Sequence, residues 1–290
     1  MSCTVLRVDA FTQIFGQGNP AGVVLDGDRY TSEEMQEIAK IVGFNETVFV
    51  CKSDTAAVKL RYFTPGHETP LCGHATIGAI FALFNGKGNR QLEIETDVGI
   101  LPITYEDKTQ RITMKQAEPK FIEFKGDKSA LCQSLGIQME DLHQNLPIQY
   151  GNTGSWTLLI PVVTPAVLDK MKPNPEVFPD ILKEIPRSSI HPFALISEKD
   201  GTFIARHFSS PLSGTTEDSV TGTASGVMGA YSLNHIYTLD EDKKITVSQG
   251  QHVQSEGTVF VHVIRDIKGS NQVNISGTAC YNGEFEIMTK

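Results

Sequence analysis

A chain of 290 residues that is 40% hydrophobic and 20% charged has the composition of a globular protein with a full core, so it is not a disordered chain and has room for one large domain or two ordinary ones. The formal net charge of −9 argues against nucleic acid as a partner, because neutralising phosphates needs clustered Lys and Arg. No apolar run reaches the length of a spanning helix, so no membrane role is expected.

In chain order, the start from Met1 to Asp9 lacks the basic and apolar regions of a signal peptide and reads as a strand over 4–10. The turn Gly16-Gln17-Gly18-Asn19-Pro20 leads into a second β-branched run at 21–25. Asn19 suits a turn, where its side chain bonds local backbone, before it suits a ligand contact. Thr31-Ser32-Glu33-Glu34 is a capping-box pattern, and Met35, Ile38, Ala39 and Val42 then share one helical face until Gly43. Glu46 follows at the start of an apolar strand, an awkward place for a carboxylate. Further strands are expected at 57–63, 91–96, 99–105 and 111–116. Among them, Cys72-Gly73-His74 opens a helix that is apolar on every side down to Asn85-Gly86. A helix with no polar face must be buried.

Gln116 to Lys120 reads as a crossing between domains, and the same grammar then recurs. A short helix around 129–135 precedes the turn Gly151-Asn152-Thr153-Gly154 and the strand that follows it. A helical segment over 175–185 takes the place of 32–42. Strands at 192–197 and 202–208, the loop Ser209 to Asp218, a second small-residue apolar helix opened by Val220-Thr221-Gly222-Thr223, and strands at 244–249, 258–264, 272–280 and 284–288 finish the chain. Two units cannot stack into a repeat array, so the expectation is an α+β protein of two similar domains. Each would be a curled sheet around a central apolar helix, with both helix N-termini turned towards one cleft.

Two such N-termini make a site for a small carboxylate, since Gly73, His74, Gly222 and Thr223 offer backbone N–H groups without bulky neighbours. His74 would stay neutral at the dipole's positive end and relay a proton, or it is a capping or core residue. Asp218, before the second helix, is a helix cap or a site residue that meets His74 across the cleft. Glu46 is the candidate base, since burial beside another carboxylate raises its pKa; an exposed strand-start residue is the other reading. No stretch fits a dinucleotide fingerprint or a phosphate-binding loop, and Gly214 to Glu217 is only a polar loop, so no cofactor is expected. Five scattered cysteines, odd in number and never C-x-x-C, fit a reducing cytoplasm. They offer no thiolate metal site, and none of the eight histidines has the spacing used by zinc hydrolases, so no metal is expected.

Four motifs then carry a family signal: Gly18-Asn19-Pro20-Ala21-Gly22-Val23, Gly43-Phe44-Asn45-Glu46-Thr47-Val48-Phe49, Phe63-Thr64-Pro65 through Pro70-Leu71-Cys72-Gly73-His74-Ala75-Thr76, and Glu217-Asp218-Ser219-Val220-Thr221-Gly222-Thr223-Ala224. In this order the chain resembles the PhzF-like family of phenazine-biosynthesis isomerase homologues, within the group that has a diaminopimelate-epimerase-like fold. The resemblance implies two pseudo-symmetric domains, 1–116 with a C-terminal strand 281–290 returning to it and 117–280, with the active site between them, and a homodimer. It implies a cofactor-independent isomerase acting on a dihydro-3-hydroxyanthranilate-like carboxylate. Glu46 would move the proton, with His74, Asp218 and Thr223 around it, the last a threonine where a serine often stands.

The two-base epimerases of the wider group place a cysteine ahead of each central helix. Cys72 fills the first place but Thr221 the second, and a hydroxyl is too weak an acid to substitute for a thiol. Cys72 is therefore expected to be a small core residue, no base being evident beside it. The expected catalytic residues are Glu46, His74 and Asp218, with Asn19, Gly73, Gly222 and Thr223 binding a small anionic substrate. The rival readings are an epimerase or racemase with an unrecognised partner acid, and a non-catalytic ligand-binding or interaction protein.

Overall fold

The structure, a computed structural model, describes residues 2–210, 215–267 and 269–288. The chain divides into two compact units, Met1–Lys115 with Ser276–Lys290, and Gln116–Ile275. The C-terminal return thus begins at Ser276 and not at Tyr281, because the final strand already pairs with the N-terminal strand from Ala279 onward.

The first unit opens with β1 (Ser2–Ala10), β2 (Asn19–Val24), α1 (Ser32–Val42), β3 (Glu46–Cys51), β4 (Val58–Phe63) and the two-residue β5 (Glu68–Thr69). It continues with α2 (Gly73–Phe84), β6 (Arg90–Thr96), β7 (Gly99–Glu106) and β8 (Arg111–Lys115). The capping box forms: Thr31 Oγ1 accepts from Glu34 N at 3.3 Å, and Thr31 N donates to Glu34 Oε2 at 2.8 Å. Gly43 ends α1 in the left-handed region at φ 71°. Between these ends α1 buries Met35, Ile38 and Ala39 against Phe49, Phe63 and Val24. Burial of the two larger side chains stabilises the unit by about 1.5–3 kcal/mol each.

The second unit contains β9 (Lys120–Glu123), α3 (Lys128–Leu135), β10 (Gln149–Asn152), β11 (Trp156–Pro161), α4 (Pro165–Lys170), α5 (Phe178–Ile181), β12 (Ser189–Ser197) and β13 (Thr202–Ala205). After these come α6 (Gly222–His235), β14 (Asp242–Gln249), β15 (Gly257–Arg265) and β16 (Asn271–Gly277), and β17 (Ala279–Met288) then returns to the first unit. The single helical segment expected at 175–185 is instead a 3-10 turn at Pro175–Val177 and the four-residue α5, with α4 a separate short helix before it. Pro173, Pro175, Pro179 and Pro186 remove donors and bias the residues before them out of helical conformation, so one continuous helix cannot form. Residues 211–214, Gly214 among them, lie outside the described residues.

The duplication is legible in the hydrogen-bonding hands. In the first unit the order β17-β1-β2-β3-β4-β6-β7 runs antiparallel, antiparallel, parallel, antiparallel, parallel, antiparallel. In the second, β9-β10-β11-β12-β13-β14-β15 repeats that series. Each parallel pair needs a crossover, and the second crossover in each unit is the apolar helix, α2 or α6. Helix α2 packs against β17, β1, β2 and β3 at one end of that order and against β8, which pairs with β7 at the other end, so the sheet curls around it. Within the second unit α6 packs against β10, β14 and β15. Eight of the twelve α2 residues are buried. Among the described residues no helix is long and apolar enough to cross a membrane.

Candidate active site

The first unit builds its site from two helix ends. The left-handed Gly43 stops α1 and turns the chain into β3, whose first residue, Glu46, pairs in parallel register with Ala21 of β2. Cys72 is the N-cap of α2 in extended conformation, which places Gly73 and His74 in the helix's first turn. His74 Nε2 lies 3.2 Å from Glu46 Oε2, and His74 Nδ1 lies 3.3 Å from Cys72 Sγ. In the neutral tautomer with its hydrogen on Nε2, the nitrogen facing Glu46, Nδ1 accepts from the Cys72 thiol. Burial pushes the imidazole down to about 4, which keeps it neutral at neutral pH. Cys72 and His74 are buried, while the Glu46 side chain remains 20% exposed.

This geometry corrects the expectation for Cys72. It is buried, as a core residue would be, but a base does stand beside it, and Glu46 orients that base. The spacing argument against a metal also misses this cluster: Glu46, Cys72 and His74 hold three ligand-type atoms within 4.8 Å of one another. The signal available in sequence was Cys72-Gly73-His74 at a helix start, where an extended N-cap folds its side chain back towards the second helical residue.

Asn19 is also corrected. It is the first residue of β2, paired with Ala10 and buried, and the turn lies before it, with Gly16 at φ 75° and Gly18 at φ 76°. A Cβ on Gly18 would stand 2.2 Å from the Ala10 carbonyl oxygen, so the close approach of that turn to β1 requires glycine.

In the second unit the N-cap of α6 is Thr221, so Asp218 is not the cap, and Thr223 takes the helical position that His74 takes in α2. Asp218 Oδ2 accepts from the Thr221 hydroxyl at 2.6 Å. Buried Gln249 holds this loop, since its Nε2 donates to Asp218 O at 2.9 Å and to Thr221 Oγ1 at 3.2 Å, while its Oε1 accepts from Thr221 N. The Thr223 hydroxyl lies 3.3 Å from Ser155 Oγ, and the Thr223 carbonyl accepts from Thr153 Oγ1 at 3.0 Å. Ser155 and Gln249 escaped the sequence reading. Ser155 follows Gly154 as Asn19 follows Gly18, which is the signal that could have found it.

Neither Cys72 nor Thr221 makes a side-chain cap bond, and neither α2 nor α6 carries an acidic residue in its first turn. Gly73, His74, Gly222 and Thr223 thus sit at positive helix ends that no acidic side chain of the helix offsets. A bidentate pair closes the loop before each helix: Arg61 with Glu68 at 2.7 and 2.8 Å, and Arg206 with Glu217 at 2.9 and 2.7 Å. Glu217 is thereby committed to structure.

A mixed sheet curled around an apolar helix, built twice, is the diaminopimelate-epimerase-like fold. A probable proline racemase from Agrobacterium radiobacter K84 shares it at a TM-score of 0.65, covering 99% of this chain and 93% of that one; at 12% identity the likeness shows fold alone. The chain belongs to the PhzC-PhzF family of phenazine biosynthesis-like proteins, whose model matches residues 8–284. The chain is 46% identical over 284 residues to the Bacillus subtilis (strain 168) protein named Uncharacterized isomerase YfhB, spanning 96% of each. A crystal structure of the Bacillus anthracis phenazine biosynthesis protein of the PhzF family, 46% identical, matches at a TM-score of 0.95 over 100% of both chains. The Pseudomonas chlororaphis trans-2,3-dihydro-3-hydroxyanthranilate isomerase is 26% identical over 287 residues, covering 97% of this chain and 98% of that one. The protein is an isomerase of the PhzF family.

Proposed function

We propose that this isomerase moves a proton between carbons of a small cyclic or unsaturated carboxylate, with Glu46 as the base that both takes and returns it. The observation that carries the reading is the 3.2 Å contact between Glu46 Oε2 and the buried imidazole of His74. A neutral Nε2–H fixes one carboxylate oxygen and leaves Glu46 as the group to be protonated. The first-turn N–H groups of Gly73 and Gly222, with the Thr223 hydroxyl, would hold the substrate's carboxylate or hydroxyl, and Asp218 its polar substituent. Asn19, at the start of β2, would bind the substrate as well. The substrate of the Pseudomonas chlororaphis relative, trans-2,3-dihydro-3-hydroxyanthranilate, is the compound to assay first. A homodimer and a cytoplasmic location rest on the family resemblance and on the scattered cysteines.

One observation favours a second reading. The Cys72 thiol, 3.3 Å from His74 Nδ1, supplies a second acid, as an epimerase requires. Turnover in heavy water separates the two: a moved double bond supports the single-base isomerase, while inversion with deuterium at the original carbon supports the epimerase. Replacing Glu46 by Gln keeps its size and removes the base, and is expected to lower kcat by about 10²–10⁴ with the fold retained. An unchanged kcat in Glu46→Gln would sink the assignment.

A further inference from the structure

We propose that Glu46, Cys72 and His74 together form a three-ligand site for a thiophilic divalent cation of the zinc type. The inference rests on the geometry of one cluster in the first unit and does not require that turnover follow either reading above.

The donor atoms have the right separations. Around a tetrahedral zinc ion with ordinary bond lengths, sulfur, nitrogen and oxygen ligands stand about 3.3–3.6 Å apart. His74 Nε2 is 3.2 Å from Glu46 Oε2 and 3.9 Å from Cys72 Sγ, and all three lie within 4.8 Å of one another. Sγ lies 3.3 Å from Nδ1 and 3.9 Å from Nε2, beside the ring rather than ahead of Nε2, so a turn of Cys72 about its Cα–Cβ bond, with a smaller change at Glu46, is what brings sulfur and oxygen to one ion capped by Nε2. Three protein ligands leave a fourth position for water or a carboxylate, the arrangement of an open zinc site.

Charge and donor type select the ion. A thiolate and a carboxylate against a divalent cation make a neutral complex, which suits a site where Cys72 and His74 are buried. One sulfur, one nitrogen and a single oxygen disfavour magnesium and calcium, which need several oxygens, and favour zinc or cobalt. On binding, the sulfur gives its electron pair to the metal and the thiol proton leaves to solvent, while the imidazole hydrogen passes from Nε2 to Nδ1 so that the Nε2 lone pair is free for the ion, with no change of oxidation state. The bound ion then holds Glu46, Cys72 and His74 at once.

The test uses the full chain, freed of metal by a chelator, and Co²⁺ alone as a spectroscopic probe. We expect one Co²⁺ per chain, with the near-ultraviolet charge-transfer absorption of a cobalt–thiolate bond, bleached by one equivalent of Zn²⁺. Cys72→Ala should abolish the band and Glu46→Gln should weaken Zn²⁺ binding about tenfold or more. Cys280→Ala, at a half-buried thiol outside the cluster, should change neither. Thermal unfolding of each variant establishes that it is folded. Absence of the band in the unaltered chain, its persistence in folded Cys72→Ala, or its loss in Cys280→Ala overturns the proposal.

Discussion

Cys72, His74 and Glu46 show how little of a side chain's environment its own identity specifies. A histidine in the first turn of a helix reads equally as a cap, a core residue or a relay. The deciding facts are its two contacts on opposite ring nitrogens, 3.2 Å to Glu46 and 3.3 Å to Cys72. Thr223 occupies the same helical place in α6 but carries a hydroxyl within reach of Ser155. On the function proposed above, this contrast would give the two helix ends different work: proton transfer at the first and binding through hydroxyls at the second. Thr223→Val, which keeps the shape and removes the hydroxyl, is therefore expected to raise KM severalfold while kcat stays within about threefold, the signature of lost uniform binding. Steady-state kinetics check it, and a collapse of kcat at constant KM would contradict the role.

At the scale of elements, α2 and α6 were recognisable as buried helices because neither has a polar face, and α1 was recognisable from Thr31, Glu34 and Gly43 alone. The stretch at 175–185 breaks into two short pieces because Pro175 and Pro179 interrupt it. The two central helices also differ in how tightly they pack. A Cβ on Gly78 of α2 would meet Ala21, Val23 and Val8 at 3.6 Å, ordinary contact. On Gly229 of α6 it would stand 2.6 Å from Val261 Cγ1 and 3.0 Å from Val263 Cγ2. Gly78→Ala is thus expected to leave stability unchanged or raise it by up to about 1 kcal/mol through helix propensity. Gly229→Ala should cost about 1–3 kcal/mol, because β15 must move away from the helix. Urea unfolding of the pair measures the difference, and equal midpoints would refute it.

For the whole molecule, the buried histidines set a pH dependence of stability. Burial pushes His207 down to about 4, and burial together with its neighbour His207 pushes His191 well below its ordinary range; their Nδ1 atoms lie 3.2 Å apart. An unfolded histidine titrates near 6.5, so as pH falls below that value the unfolded chain takes up protons that the folded chain refuses. Full stability is therefore present above about pH 6.5 and is lost progressively towards pH 4, by roughly 2 kcal/mol at pH 5 for His207 alone. Denaturant titrations at pH 7.5 and pH 5 should show the decline, and a smaller one in folded His207→Gln. Equal stability at the two pH values would contradict this account.

The amino-acid sequence by itself determined the duplication, the two apolar helices and most strand positions, because these follow from periodicities that neighbouring residues impose on one another. It also carried the family, through motifs strung along most of the chain. Only tertiary structure decided that Glu46 stands 3.2 Å from His74, that Asn19 is a buried strand residue, and that Gln249 holds Thr221 at the start of α6. Those outcomes depend on contacts between residues far apart in the chain, such as Glu46 with His74 and Gln249 with Thr221, and no local pattern of side chains encodes a distance across a fold.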